Sequence, residues 1–181
     1  AVRAKDILDA YLALTANLTC LSDEVGMNYT QEDIGVLSTD VVAYRGWWSF
    51  EVMRPLFAVA PIAATREQFL DRAVSLFKLL ELLKPAPLRA MARQLGVPKD
   101  QIKDFASLKL LACICQLATI SKEQGHALAE DADAVVPQWN PKTELPELRT
   151  LFALNGLRSS QAHTPSTERE AKIASDARVF D

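Results

Sequence analysis

The sequence predicts an all-α fold, an irregular bundle of about six to eight helices. Apolar residues recur at steps of three and four over most of the 181 residues, which is the period of an amphipathic helix. Capping residues, glycines and prolines interrupt this period at short intervals. We therefore expect a single all-α domain over residues 1–181, with a helical subdomain 1–60 followed by a bundle 61–181 as the alternative division.

The N-terminal third predicts a helix, a polar loop and a more buried helix. The apolar positions within Ile7–Leu18 give an amphipathic helix that should end within Ser22–Gly26. In the loop, Thr30–Asp33 resembles a capping box. Residues 39–60 are apolar on most sides and predict a largely buried helix kinked at Pro55. A β-hairpin is the alternative there, because valine and aromatic residues favour strands.

The middle of the chain predicts two further helices. Thr65–Gln68 has the spacing of a capping box, and the apolar period that follows it runs to the helix breakers Pro85 and Pro87. A short helix over Leu88–Leu95 should end at Gly96, because glycine adopts the left-handed conformation of a helix C-cap without strain.

The C-terminal part predicts three helices. The first spans about Ser107–Glu130, and the prolines of residues 134–146 mark a connection. The last two are expected over Glu147–His163 and Glu168–Val179, the second of them opened by a capping box at Thr167–Glu170.

The cysteines and the aromatic residues are predicted to be core residues, and His126 is not predicted to bind a metal. Cys113 and Cys115 point about 200° apart on a helix, so neither a disulfide nor a shared metal suits them. With Cys20, we predict them to be small core residues of a reduced, cytoplasmic protein. His126 has no second His or Cys at ligand spacing, so we expect no metal and no cofactor. Core positions are also predicted for Trp47, Trp48, Phe50 and Phe57.

Charge restricts the kinds of partner. A net charge of −3 argues against holding nucleic acid by bulk positive charge. Only residues 84–110 are clearly basic, and a solvated helical face is the simplest interpretation of them. Residues 88–102 also have the sequence pattern of a helix-turn-helix, so DNA binding is a second hypothesis. The structural alternative is an ordinary corner between two helices. Candidate contacts to nucleic acid in this stretch are Arg93, Lys99 and Lys103.

The sequence lacks the patterns of membrane proteins, secreted proteins and two common classes of enzyme. No uninterrupted apolar run approaches a membrane span and no signal-peptide pattern opens the chain, so we expect a cytoplasmic protein without a membrane partner. No glycine-rich phosphate loop and no Gly-x-Ser-x-Gly motif occur, which argues against P-loop and α/β-hydrolase chemistry. The chain begins with Ala1 and stops in mid-pattern, which favours a piece of a larger protein.

The stretch LNGLRSSQAH, residues 154–163, holds the candidate catalytic pair Arg158 and His163. On a helix these two residues lie about 140° apart. Along this helix, steps of three and four residues lead from an apolar stripe to polar residues on the same face. Because an unpaired polar group on a buried face costs about 1–3 kcal/mol, these polar residues are expected to have a function. The structural alternative is that His163 stabilises the helix C-terminus while Arg158 pairs with a surface carboxylate. The stripe runs through Leu148, Leu151 and Phe152 to Asn155, Arg158, Ser159 and His163.

This stretch resembles the signature of HEPN domains, small all-α bundles in which an Arg, a short spacer and a His lie on a late helix. Here four residues separate Arg158 from His163, and the small Ala162 precedes the histidine. Ser159 departs from the pattern, because the family more often has Asn, Asp or His at that position. The specific match covers only about residues 146–180.

The resemblance implies a metal-independent endoribonuclease of the toxin or phage-defence type, whose site is shared by the two protomers of a homodimer. His163 would transfer a proton, which suits a side chain with an unperturbed pKa of about 6.5. Arg158 would stabilise the phosphoryl oxygens, and Asn155 and Ser159 would orient the substrate RNA. A cognate antitoxin or further domains of a larger protein are expected partners. The alternative is a non-catalytic module for dimerisation or nucleic-acid binding.

Overall fold

A computed structural model of the chain describes residues 2–54 and 65–162. Within these ranges it contains nine α-helices and no β-strand, which confirms the predicted all-α irregular bundle. Three of the helices are single turns of four residues, so the longer ones alone number six. The helices are α1 (Val2–Glu24), α2 (Gln31–Ile34), α3 (Thr39–Arg45), α4 (Arg66–Glu81), α5 (Pro85–Gln94), α6 (Lys99–Ile102), α7 (Ser107–Gln124), α8 (Ala132–Val135) and α9 (Arg149–Ala162).

The side-chain amide of Gln31 joins α1, α2 and α3. Its Nε2 donates to the carbonyl of Leu12 at 3.0 Å and to Oγ1 of Thr15 at 3.1 Å, and its Oε1 accepts from the amide of Thr39 at 3.0 Å. The prediction for the start of α2 is confirmed, because Thr30–Asp33 forms a capping box. One polar side chain therefore anchors α2 on α1, although α2 has only a single turn.

The buried helix predicted over residues 39–60 is wrong within the described part. α3 ends at Arg45, none of its residues is buried, and 3₁₀ turns follow within residues 47–53. The cause is Gly46, whose φ of +78° ends the regular α-helical conformation. The β-hairpin alternative is wrong as well, since this part of the chain contains no strand. Residues 55–60 lie outside the described residues.

The aromatic residues of this segment are core only in part. Trp48 is 65% exposed, so its prediction as a core residue is wrong. Trp47 and Phe50 are half-buried against the core, and the guanidinium of Arg45 lies 5.4 Å from the ring centroid of Phe50. Phe57 lies outside the described residues.

α4 and α5 begin with the capping devices that their sequences carry. The predicted capping box Thr65–Gln68 is present at the start of α4. α4 ends at Glu81, and α5 begins at Pro85 rather than at Leu88. The first turn of a helix tolerates proline, because its N–H groups have no partner within the helix. Pro85 and Pro87 therefore open α5 in addition to separating it from α4.

Gly96 and Arg89 hold the corner between α5 and α6. Gly96 has a φ of +88° and closes α5 with the predicted left-handed C-cap. Arg89 spans the corner, because its Nε donates to the carbonyl of Ile102 at 3.3 Å and its Nη2 donates to the carbonyl of Phe105 at 2.7 Å. The guanidinium thus satisfies two carbonyls, one at the end of α6 and one beyond it.

α7 is the central helix, with buried residues on several sides. It ends at Gln124, earlier than the predicted Glu130, because Gly125 adopts a left-handed φ of +69° and the amide of His126 returns to the carbonyl of Ser121. The buried residues of α7 are Leu108, Leu110, Leu111, Cys113, Ile114, Gln116, Leu117 and Ser121.

Leu83 and Lys84, between α4 and α5, connect both of these helices to α2 and α7. The amide of Lys84 donates to the carbonyl of Ile34 at 2.8 Å, and its Nζ donates to the carbonyl of Glu32 at 2.7 Å. The hydroxyl of Ser107 donates to the carbonyl of Leu83. These bonds fix the end of α2 and the first residue of α7 on the same short linker.

α9 packs along α4. The helix predicted over Glu147–His163 is confirmed through residue 162, with a 3₁₀ turn at Pro146–Leu148 leading into α9. The proline-rich connection over residues 134–146 contains the end of α8 and a 3₁₀ turn at Val136–Gln138. The last predicted helix, Glu168–Val179, and its capping box lie outside the described residues.

One continuous hydrophobic cluster extends from Ala4 in α1 to Trp139 after α8. It draws residues from both sides of the division proposed at residue 60, and that division stays a prediction. Among the helices of the described ranges, none is long and apolar enough to cross a bilayer.

Replacement of Gly35 by alanine should weaken the contact between α1 and α2. A Cβ at this buried position would overlap the hydroxyl of Tyr11 and would lie 3.2 Å from Cγ2 of Thr15. Overpacking of this kind costs about 1–3 kcal/mol. We expect Gly35→Ala to lower the free energy of unfolding by that amount in urea denaturation.

The neighbouring Val36, 55% exposed, provides the control, and Val36→Ala should change the free energy of unfolding by less than about 0.5 kcal/mol. Tyr11→Phe removes the overlapping oxygen and should recover part of the loss in Gly35→Ala. Unchanged stability of Gly35→Ala would contradict the close approach of the two helices.

Candidate functional site

The candidate catalytic pair lies at the end of α9. Arg158 and Ser159 are within this helix, and at these two positions the description covers the backbone alone. Asn155 is half-buried and takes part in an interaction. His163 lies outside the described residues. The helical position of Arg158 agrees with the sequence, whereas the pairing of Arg158 with His163 stays a prediction.

The apolar stripe expected to lead to this pair is present only in part. Leu148 is buried and Leu151 is half-buried, but Phe152 is 37% exposed. The buried described side chains of α9 are instead Ala153 and Leu157, which lie about 100° or more around the helix from Phe152. Phe152 therefore departs from the predicted stripe, whereas the side chains of Arg158, Ser159 and His163 lie outside the description; that the polar residues continue a buried stripe stays a prediction.

The basic residues near α6 form an exposed surface. Arg93, Lys99 and Lys103 are all exposed. α6, which would be the recognition helix of a helix-turn-helix, has only four residues, and such a helix must present several side chains to a DNA groove. The arrangement fits an ordinary helical corner better than a DNA reader.

His126 has a local structural partner. Its Nδ1 lies 3.3 Å from Oδ2 of Asp131, which also accepts from the amide of Ala127 at 2.9 Å. In the part of the chain that the structure describes, no group of three or more His, Cys, Asp and Glu is placed to hold a metal ion. His126 therefore belongs to the turn after α7.

A groove of about 800 Å³ lies between α7, α9 and the connection of residues 139–145. Small-molecule sites have volumes of this order. No local sequence pattern indicates this groove, because its walls come from segments far apart in the sequence. Phe152 is exposed because its side chain lines this groove, and no local sequence pattern indicates that exposure. Side chains that line it include Phe105, Cys113, Gln116, Trp139, Leu145 and Phe152.

Two buried polar side chains line the groove without a hydrogen-bond partner among the described residues. Gln116 is only 7% exposed, yet its amide atoms are not sealed from solvent, so the groove is where they meet water. Trp139 is 8% exposed, and its Nε1 is buried without an acceptor. A sealed, unpartnered donor such as Trp139 Nε1 costs about 1–3 kcal/mol, whereas the amide of Gln116 remains open to a ligand that enters the groove. The groove is therefore a candidate binding site, with Gln116 as its accessible polar group.

The groove is positively charged, although the chain carries a net charge of −3. Lys109, Lys142 and Arg149 line it against a single carboxylate, that of Glu144. All four side chains are exposed. The Nζ of Lys109 lies 5.5 Å from the ring centroid of Phe105, which places a positive charge beside an aromatic wall.

The three cysteines have different environments. Cys113 is buried, and desolvation, with a smaller effect of Cys115, raises its thiol pKa to about 12. Burial and then the charge of Glu147 raise the pKa of the half-buried Cys115. Cys20 is exposed, so its prediction as a core residue is wrong. Cys113 lines the groove as a neutral thiol and is not a nucleophile at neutral pH.

Comparisons of the chain with protein-family models, with curated proteins and with solved structures found no match. The end of α9 and the groove are therefore interpreted from their own residues and geometry.

The thiols should react with an aromatic disulfide reagent at clearly different rates. At a pH of about 8 we expect one thiol, that of Cys20, to react quickly in the native protein, because reaction requires an accessible thiolate. Cys113 and Cys115 should react only slowly, and all three thiols should react after denaturation. Cys20→Ser should remove the fast phase, and Cys115→Ser should leave it intact. Equal rates for Cys20 and Cys113 would contradict the burial of Cys113.

Proposed function

We propose that the chain is a cytoplasmic, metal-independent endoribonuclease of HEPN type, with Arg158 and His163 as its catalytic residues. The observation that supports this proposal is α9 itself, a late helix in an all-helical bundle that contains Arg158 and continues to Ala162, the residue before His163. The proposal includes a toxin or phage-defence role, regulated by a cognate antitoxin or by further domains of a larger protein.

The proposed reaction is an internal transesterification of RNA. The ribose 2′-oxygen attacks the adjacent phosphorus, the bond from phosphorus to the 5′-oxygen breaks, and a 2′,3′-cyclic phosphate and a 5′-hydroxyl result. His163 removes the 2′-proton or protonates the leaving oxygen, since an imidazole titrates near neutral pH. Arg158 stabilises the charge on the phosphoryl oxygens, while Asn155 and Ser159 orient the substrate.

The exposed basic residues Arg93, Lys99 and Lys103 are proposed to contact the RNA backbone, where lysine and arginine supply affinity without sequence preference. DNA binding through residues 88–102 is the weaker alternative, because α6 has only one turn. A non-catalytic module for dimerisation or RNA binding would use the same surfaces without cleavage.

Purified protein should cleave single-stranded RNA in the presence of EDTA, with products that end in a 2′,3′-cyclic phosphate. His163→Ala removes the proton-transfer group and Arg158→Ala removes the cationic donor. Each change should lower the single-turnover rate by at least about 100-fold, with little change in melting temperature. The rate is measured from labelled RNA on denaturing gels.

Two variants control for the loss of a histidine and of an arginine. His126→Ala removes a side chain held beside Asp131, and Arg54→Ala removes an exposed partner of Glu51; both should cleave at the wild-type rate. A wild-type protein that cleaves no RNA in EDTA, or a His163→Ala protein of full activity, would refute the nuclease proposal.

Activity should require a two-fold dimer, because the motif occurs once in the chain and an isologous contact is what brings two copies together. An excess of inactive His163→Ala protein should therefore reduce the wild-type rate by forming mixed dimers, and an excess of a catalytically inert carrier protein should not. Sedimentation velocity should show the dimer at the concentrations of the assay. A strict monomer with a rate linear in protein concentration would exclude the shared site.

A further inference from the structure

The groove between α7 and α9 lies on the opposite face of α9 from Arg158 of the proposed nuclease site. Arg149, Phe152, Ala153 and Gly156 are the residues of α9 that line it. Arg158 lies nine positions after Arg149, which corresponds to about 180° around the helix. Position 158 therefore lies on the opposite face of α9 from Arg149, so the proposed role of Arg158 does not explain the groove.

The buried polar groups of the groove indicate which ligand it fits. Gln116 lines the groove and offers N–H donors and a carbonyl acceptor side by side on a planar amide. A hydrocarbon chain would cover this amide without bonding it. A flat heterocycle with a donor and an acceptor on one edge pairs with a glutamine amide through two hydrogen bonds, as the edge of adenine does.

The remaining walls suit the other parts of such a ligand. Phe105 and Phe152 provide aromatic surface, on which a heterocyclic ring can stack. None of the ion pairs among the described residues involves the exposed cations Lys109, Lys142 and Arg149, so their charge is available to an anionic group such as a phosphate.

We propose that this groove binds a mononucleotide, with the base against Gln116 between aromatic side chains and the phosphate at Arg149 and the neighbouring lysines. A volume of about 800 Å³ accommodates a ligand of this size. The assignment rests on the groove alone and does not depend on RNA cleavage at Arg158.

Isothermal titration calorimetry with AMP and with ribose 5-phosphate tests the proposal on the full chain. AMP should bind saturably and at least about tenfold more tightly than ribose 5-phosphate, because the sugar phosphate lacks the base. Gln116→Leu, close in volume to the wild type, should weaken AMP binding at least about tenfold and leave ribose 5-phosphate unchanged. Arg149→Gln should weaken both ligands, since both carry the phosphate. A tenfold loss corresponds to about 1.4 kcal/mol.

Lys122→Gln is the matched control, since Lys122 is an exposed cation of α7 that does not line the groove, and it should bind both ligands as the wild type does. Circular dichroism confirms the folding of each variant, and Arg149→Gln tests the site at an exposed position where misfolding is not expected. The proposal is overturned by the absence of AMP binding at millimolar concentration. It is also overturned by equal affinities for the two ligands, or by binding that Gln116→Leu and Arg149→Gln leave intact.

Discussion

The bonds of Leu83 and Lys84 are the constraint on which the arrangement of the bundle depends. Lys84 donates hydrogen bonds to the carbonyls of Glu32 and Ile34 at the end of α2. Glu32 lies 52 residues before Lys84 in the chain. Leu83 receives the hydroxyl of Ser107 at the first residue of α7. Closing so long a loop costs conformational entropy, and these charged and neutral hydrogen bonds, together with the surrounding core, offset it. The position of α7, and hence of the groove wall at Gln116, follows from this junction.

Local patterns predicted the fold well where a capping device and a helical period coincide. Both capping boxes, at Thr30–Asp33 and Thr65–Gln68, and the left-handed cap at Gly96 are present. The pattern failed at Gly46, because the apolar residues around it outweighed the glycine in the prediction. The ends of helices therefore depend more on single residues such as Gly46 and Gly125 than on the apolar content of the segment.

The candidate sites were less accessible to sequence reasoning, and for a physical reason. Which face of α9 is buried depends on its neighbours in the folded chain, and among its described side chains Ala153 and Leu157 are buried whereas Phe152 is exposed. A period of three and four does not distinguish between two faces that both carry leucines. The groove is formed by segments that meet only in the folded chain, so neither Gln116 nor Arg149 carried a local signal.

The Arg89 guanidinium also has a consequence for motion. It bonds the carbonyls of Ile102 and Phe105 from a position in the middle of α5. Local opening of α5 would break the anchor of α6 and expose the start of α7 at the same time, so these three segments should behave as one cooperative unit. We expect the lower-energy local openings in elements with fewer cross-links, such as the short turns around Trp48, whose side chain is largely in solvent.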